Sequence, residues 1–202
     1  LPLQMMLPFI MEQAEALKDA VPAFKQGQPI GDGIGPLVVG EMMLDTKKQN
    51  AEFETVYSES EFDGRKLILL KAEGPNATVG RPGEATELLV EKLKPNIIIM
   101  IDAALKLEGE DTGGVAQGFG AAIGGIGTDR FKVEAIATKH DIPIFAIVVR
   151  QSVKDAITLM KKEISDQTEK VRNQVYEMIT DNSNPNETVL IIGVGNTLGV
   201  AQ

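Results

Sequence analysis

The 202-residue chain has no cysteine, no tryptophan and one histidine, with only two tyrosines and seven phenylalanines. Without cysteine there are no disulfides and no thiolate metal sites, and one histidine excludes a multi-histidine zinc site. Any metal would need mostly oxygen ligands. The lack of cysteine suits a reducing compartment, so the expected location is the cytoplasm, or the cytoplasmic face of a membrane if the chain belongs to an anchored protein. A basic excess is also missing: 20 Lys and Arg stand against 29 Asp and Glu, a formal charge of −9. Polyphosphate backbones are repelled by that balance, and bases would find few aromatic platforms, so nucleic acid is not an expected partner.

The opening "LPLQMMLPFIM" is an apolar run of eleven residues, shorter than the ~20 needed to cross a bilayer. It reads either as the buried start of a helix or as the cut end of a membrane-anchored precursor, which would add a membrane tether to the longer chain. With 43% hydrophobic residues, the chain can bury one substantial core. Residues 1–25 are expected to form a helical appendage, with a helix over 9–20 that stops before Pro22, and residues 26–202 the main domain.

Strands and helices alternate through that domain. "GQPIGDGIGPLVV" is a Gly/Pro-rich loop running into a helix, with Pro36 at the first helical position. "EFETVYSE" and "KLILLKAEG" read as strands joined through Asp63-Gly64. Ala85, Leu88, Leu89 and Leu93 stripe a helix between Pro82 and Pro95. "NIIIMID" is an unbroken apolar run ending at Asp102, the pattern of a strand buried on both faces. Residues 103–127 hold eight glycines and read as a shaped loop with at most one short strand. A helix from Thr128 to His140 follows, then the strand "IPIFAIVV", and then a helix capped by Ser152 with Val153, Ala156, Ile157, Met160 and Ile164 on one face. A polar helix over 166–181 and the closing strand "TVLIIGVGN" complete the chain. This alternation predicts a three-layer α/β/α domain around a largely parallel sheet, with ligands beyond the carboxyl ends of the strands. Asp102, Arg150, Gly195 and Asn196 fall at such ends.

The stretch "GRPGEATELLVEKLKPNIIIMIDAALKLE…GGIGTDRFKVEAIATKHDIPIFAIVV" resembles the central part of the spore germination proteases, whose fold family includes the hydrogenase maturation peptidases. Those families open with a strand, a Gly-x-Gly-Asn turn, an acidic residue before Gly, and the first helix. Here the two pieces are in reverse order, "IIGVGNTLG" at 191–199 and "GDGIGPLVV" at 31–39. The resemblance therefore implies a circularly permuted, phosphorylase/hydrolase-like fold in which the C-terminal end lies beside residues 26–31. The pattern also resembles archaeal proteins of unassigned function whose longer chains begin with a membrane segment.

By the same resemblance, Asp32 and Asp102 match the acidic pair that is catalytic in the germination proteases and helps to bind nickel in the maturation peptidases. The expected function is peptide hydrolysis through that carboxylate pair, with or without a divalent ion on Asp32 and Asp102, since two adjacent carboxylates share a proton or recruit a cation. Asn196, Gly195, Gly125, Gly127, Asp129, Arg130 and Glu84 are expected to line the substrate site, and the ligand would be a peptide or small molecule. The loop matching the nickel-binding histidine of the maturation peptidases has none, and His140 reads as a cation at a helix C-terminus. Two other readings stand beside this one: a non-enzymatic module holding a small anion on the backbone amides of "GVGN" and "GGIG", and a membrane-tethered assembly domain.

Overall fold

The computed structural model describes residues 2–122 and 128–201. In chain order the elements are α1 (Pro2–Gln26), α2 (Ile34–Met42), β1 (Gln49–Asn50), β2 (Thr55–Phe62), β3 (Arg65–Ala72), α3 (Pro82–Leu93) and β4 (Ile97–Leu105). They continue with β5 (Val115–Phe119), α4 (Thr128–Lys139), β6 (Ile144–Gln151), α5 (Val153–Ile157), α6 (Lys162–Ser165), α7 (Thr168–Asn182) and β7 (Thr188–Gly193). A single 3₁₀ turn, Gly31–Gly33, leads into α2.

The strands form one sheet in the order β1-β2-β3-β7-β4-β6-β5. The run β3-β7-β4-β6 is parallel, while β1, β2 and β5 join antiparallel at the edges. The result is a mixed α/β fold with a parallel centre. Alternation divides the central strands between two apolar clusters. Ile97, Ile99 and Ile101 of β4 meet α2 and α7 in one cluster, whereas Ile98 and Met100 meet α3 and α4 in the other. A strand with both faces covered has no polar side to show, which is why these segments read as unbroken apolar runs.

Local signals explain most boundaries. Helix α3 opens on Pro82 and closes at Lys94 in the left-handed conformation, φ 49°, one residue before Pro95. In the hairpin β2–β3, Asp63 and Gly64 both take positive φ, as the tight two-residue connection demands. Within the glycine-rich stretch, β4 continues to Leu105 and a short strand, β5, follows among the described residues.

Three expectations need correction. Helix α1 does not stop before Pro22 but runs to Gln26, with Pro8 and Pro22 both inside it. Pro22 and Lys18, whose carbonyl it leaves without a helical donor, are both exposed, so that carbonyl is not left in an apolar interior. Pro36 is the third residue of α2 rather than the first, still within the first turn, where helix N–H groups lack intrahelical acceptors. The helix after Ser152 is only α5: Ser152 and Asp155 form a capping box, but the chain extends at Thr158, and the Met160 N–H donates to the Pro29 carbonyl at 2.8 Å. That tertiary bond competes with the helix the periodicity predicts, so Ile164 belongs to the separate α6.

Helix α1 turns Ala16, Ala20 and Ala23 inward, and its Asp19 pairs with Lys154 at 2.6 Å. Leu3, Met5, Phe9, Met11 and Phe24 are exposed, so the opening run is not buried. Among the described residues no helix is long and apolar enough to cross a membrane.

The C-terminal segment is tied down by Thr197, which is fully buried. Its hydroxyl lies 2.8 Å from the Glu73 carbonyl, 2.6 Å from that of Asn76 and 3.0 Å from that of Thr78, and its N–H donates to the Thr78 carbonyl at 2.9 Å. Thr197→Val keeps the shape but leaves the carbonyls of the 73–78 loop without that donor. A loss of about 1–3 kcal/mol in denaturant-measured stability is the expected outcome, and an unchanged midpoint would show that water replaces the hydroxyl.

Candidate functional site

The site lies where the carboxyl ends of the parallel strands meet the turn before α2. Beyond β7 the Val194 N–H still donates to the Ile101 carbonyl at 2.8 Å, and the chain then bends through Gly195 at φ 134°. A β-carbon on Gly195 would fall under 3.0 Å from the Asp32 carbonyl oxygen. Glycine is therefore required there twice over, by conformation and by contact. The close approach brings the Gly31–Gly33 turn onto the strand ends.

Asp32 and Asp102 meet at this point. Both border a narrow cavity of about 130 Å³, shared with Asp129, Gly195, Gly80 and Pro82. Both also border a second, larger cavity of about 790 Å³, whose walls include Ala103, Ala104, Arg130 and Gln151. Asp32 and Asp102 are thus common to the linings of both cavities.

Their environments differ. Burial pushes the Asp32 carboxyl above the usual carboxylate range, opposed by the backbone N–H of Asn196, which donates to Asp32 Oδ2 at 2.8 Å. Asp102 is buried, and its Oδ1 accepts from its neighbour's N–H, that of Ala103, at 2.7 Å.

The other expected residues divide. Gly195 and Asp129 border the narrow cavity and Arg130 the larger one. Asp129 Oδ1 accepts from the Gly83 N–H at 3.3 Å, in the first turn of α3. A β-carbon on Gly83 would fall under 3.0 Å from that oxygen, so glycine lets α3 and the start of α4 approach at this point. Arg130 pairs with Glu134 at 3.1 Å. Asn196 borders neither cavity. Its side chain turns back to accept from the Leu198 N–H at 2.9 Å, so it serves the site through its backbone. Glu84 also lies outside both cavities: the Lys132 ammonium at 2.5 Å holds its carboxyl below the usual range and clips α3 to α4. Arg150 faces away, paired with Glu110 at 2.6 Å. Gly125 and Gly127 lie outside the described residues.

No group of three or more His, Asp or Glu side chains able to hold a metal occurs among the described residues. A pair alone is a poor match to the six to eight oxygens a calcium ion takes, or to magnesium's octahedral set. The amide of Asn196 is engaged by Asp32, so an external anion on the "GVGN" turn would have to displace a carboxylate already in place.

One residue at the larger cavity gave little signal in the sequence. Gln151 ends β6, is fully buried, and lies against Gly31. A polar residue closing an apolar strand was the only hint, and Arg150 beside it drew the attention. Asp155 backs the same turn. Burial alone would raise its carboxyl, but bonds from Lys161, Ser152 and Thr112 outweigh this and hold it down at about 2. It is ionised at any pH where the protein would be used.

The model for the C-terminal part of the domain of unknown function DUF1512 matches residues 30–201. The chain belongs to that family. Its limits enclose both carboxylates and the whole sheet and leave out α1. No curated protein matches the sequence. Among solved structures, a protein of unknown function from Corynebacterium glutamicum is similar at 11% identity and a TM-score of 0.43, over 77% of this chain and 81% of that one. A proteasome-assembly chaperone homologue from Mycobacterium tuberculosis is similar at 12% identity and a TM-score of 0.40, over 77% and 93%.

Proposed function

We propose that this chain is a peptidase-like hydrolase in which Asp32 and Asp102 act as a pair on an amide held between the two cavities. The observation that carries the reading is that both carboxylates, far apart in sequence, border both cavities. Asp32, desolvated and holding its proton above the usual range, is the acid that protonates the leaving nitrogen. Asp102, whose Oδ1 accepts from the Ala103 N–H, is the base that takes a proton from the attacking water. Two positioned carboxyls can divide acid and base roles in this way.

The finer fold reading belongs to the same proposal: a three-layer α/β/α domain, circularly permuted relative to the germination protease and maturation peptidase pattern. It is supported by Gly199, where a β-carbon would fall under 3.0 Å from the Gly27 carbonyl oxygen and from Pro29, and by Leu198, which packs with Ala23 and Ile30. The C-terminal segment therefore runs beside the stretch that a rejoined chain would have to reach.

The test is cleavage of a mixed peptide library followed by mass spectrometry. Asp32→Asn keeps an oxygen for the Asn196 N–H but cannot give up a carboxylic proton. It and Asp102→Asn should each lower turnover by at least about 100-fold, the low end of what a positioned acid or base contributes. Activity in the unaltered protein should fall as pH rises through the elevated Asp32 value. Cleavage that survives both substitutions removes the hydrolase reading, and phosphate binding that strengthens in both would replace it with the anion-binding module.

A further inference from the structure

Gln151 is fully buried, yet neither its Oε1 nor its Nε2 has a hydrogen-bond partner among the described residues. It closes β6 at the wall of the larger cavity, beside Asp32 and Asp102. A buried carboxamide with neither its donor nor its acceptor met is a standing cost to folding, and most native side chains avoid it. The feature makes sense where a ligand completes it. We infer that Gln151 is a specificity-determining residue that reads the backbone of a short extended peptide lying in the larger cavity.

The chemistry selects the ligand class. A carboxamide offers one acceptor and a pair of donors side by side. An extended peptide residue presents its own N–H and C=O to the same side, as paired residues of an antiparallel ladder do, and so matches that edge with both bonds. An inorganic anion would satisfy only the donors and would face two aspartates. The walls also suit backbone rather than bulky side chains, because Ala103, Ala104, Ala121 and Ala122 supply much of the lining. Its volume of about 790 Å³ falls in the range of small-ligand sites. Gly31 contributes by absence: a β-carbon there would fall under 3.0 Å from both the Asp155 carbonyl oxygen and Gln151 Oε1, so glycine lets the turn pack against both.

This deepens the proposed function, and takes the hydrolysed amide from it, but binding can be measured apart from cleavage. The probes are N-acetyl-trialanine amide and its three singly N-methylated forms, titrated calorimetrically into the full chain, with 2-pyrrolidinone and its N-methyl form as a lactam pair. N-methylation at one position should weaken binding about tenfold, and Gln151→Met should bind that form and the parent equally. Gln151→Glu, which keeps an acceptor and loses the donors, should fall between. Ligand-free Gln151→Met should also melt higher than the unaltered protein, since an unmet amide is replaced by an apolar side chain of similar length. A lower melting point, or equal weakening of every probe by Gln151→Met, would assign the residue a structural role and overturn the inference. Failure of every probe to bind at millimolar concentration overturns it too, and binding of the lactam pair alone overturns the peptide assignment. Discriminating binding without cleavage leaves this inference standing while the hydrolase falls. Cleavage unchanged in Gln151→Met sinks this inference alone.

Discussion

Gly35→Ala is expected to destabilise the protein by about 3 kcal/mol or more, far beyond an ordinary helix substitution. Alanine has the better intrinsic helix propensity, by up to ~1 kcal/mol, so propensity alone gives the opposite sign. Contact decides the matter: a β-carbon on Gly35 would fall under 3.0 Å from Val194 O, Val194 N and Ile101 O. These are backbone atoms just past the end of β7 and in the middle of β4, and backbone has no rotamer to swing aside. Gly193 meets Gly35 from the other direction, since its own β-carbon would fall under 3.0 Å from the Gly35 carbonyl. Overpacking costs ~1–3 kcal/mol where side chains can adjust, and here nothing can. For a chain of this length, 3 kcal/mol lowers the melting temperature by roughly 6–12 °C. Gly118→Ala is the control, with nothing within 4 Å of its β-carbon, and should leave the melting temperature within about 1 °C, as surface changes usually do. If the two variants melt together, the close seating of α2 on the strand ends is wrong, and the position of Asp32, one turn upstream, falls with it.

The second large effect is a gain. Lys71→Met should stabilise the protein at pH 7 by about 1–3 kcal/mol. Lys71 is 1% exposed, and its Nζ donates to the Ala72 carbonyl at 3.1 Å. Burial is the main cause that lowers it to about 8 from an ordinary 10.5, with Lys48 adding repulsion and Glu73 partly opposing. A lysine whose folded value is depressed weakens the fold while it carries its charge. Between about pH 8 and 10.5 the unfolded chain holds a proton that the folded chain has released, so stability rises with pH across that window. At pH 7 the full penalty of about 3 kcal/mol applies, reduced by the roughly 1 kcal/mol the carbonyl bond returns. Urea unfolding at pH 7 and at pH 10 checks both parts. The unaltered protein should gain stability at the higher pH, while the methionine variant should show no such gain from this position. A variant weaker at pH 7 would mean that the ammonium has a compensating partner and that its burial is not a net cost.

These two cases mark where the sequence could and could not be read. Hydrophobic periodicity located the strands "KLILLKAEG", "NIIIMID", "IPIFAIVV" and "TVLIIGVGN", because a parallel strand covered on both sides must be apolar along its whole length. It also placed α3, whose ends are set locally by Pro82 and Pro95. The periodicity after Ser152 misled, because the backbone bond from Met160 to Pro29 outweighs a helix that local pattern favours. The nearly unbroken apolar run of "KLILLKAEG" gives no sign that Lys71 is buried, since a single lysine near a strand's polar end looks like a solvated one. Asp32 and Asp102 were found through a family resemblance and through their places beside glycine and at the end of an apolar run, although β4 continues past Asp102 to Leu105. Gln151 was missed, since one polar residue at the end of a strand is ordinary until its partners can be counted.

The sequence by itself determined the element types, the net acidic charge, and the exclusion of thiolate and multi-histidine metal chemistry. These follow from composition and from periods of two and 3.6 residues, which act over short distances along the chain. Tertiary structure alone decided that the order β3-β7-β4-β6 brings the last strand between two earlier ones, and that Gly35 and Gly195 let the Asp32 turn close onto Asp102. Which strands become neighbours, and how closely two backbones can approach, depend on contacts between residues far apart in the chain, and no local pattern encodes them.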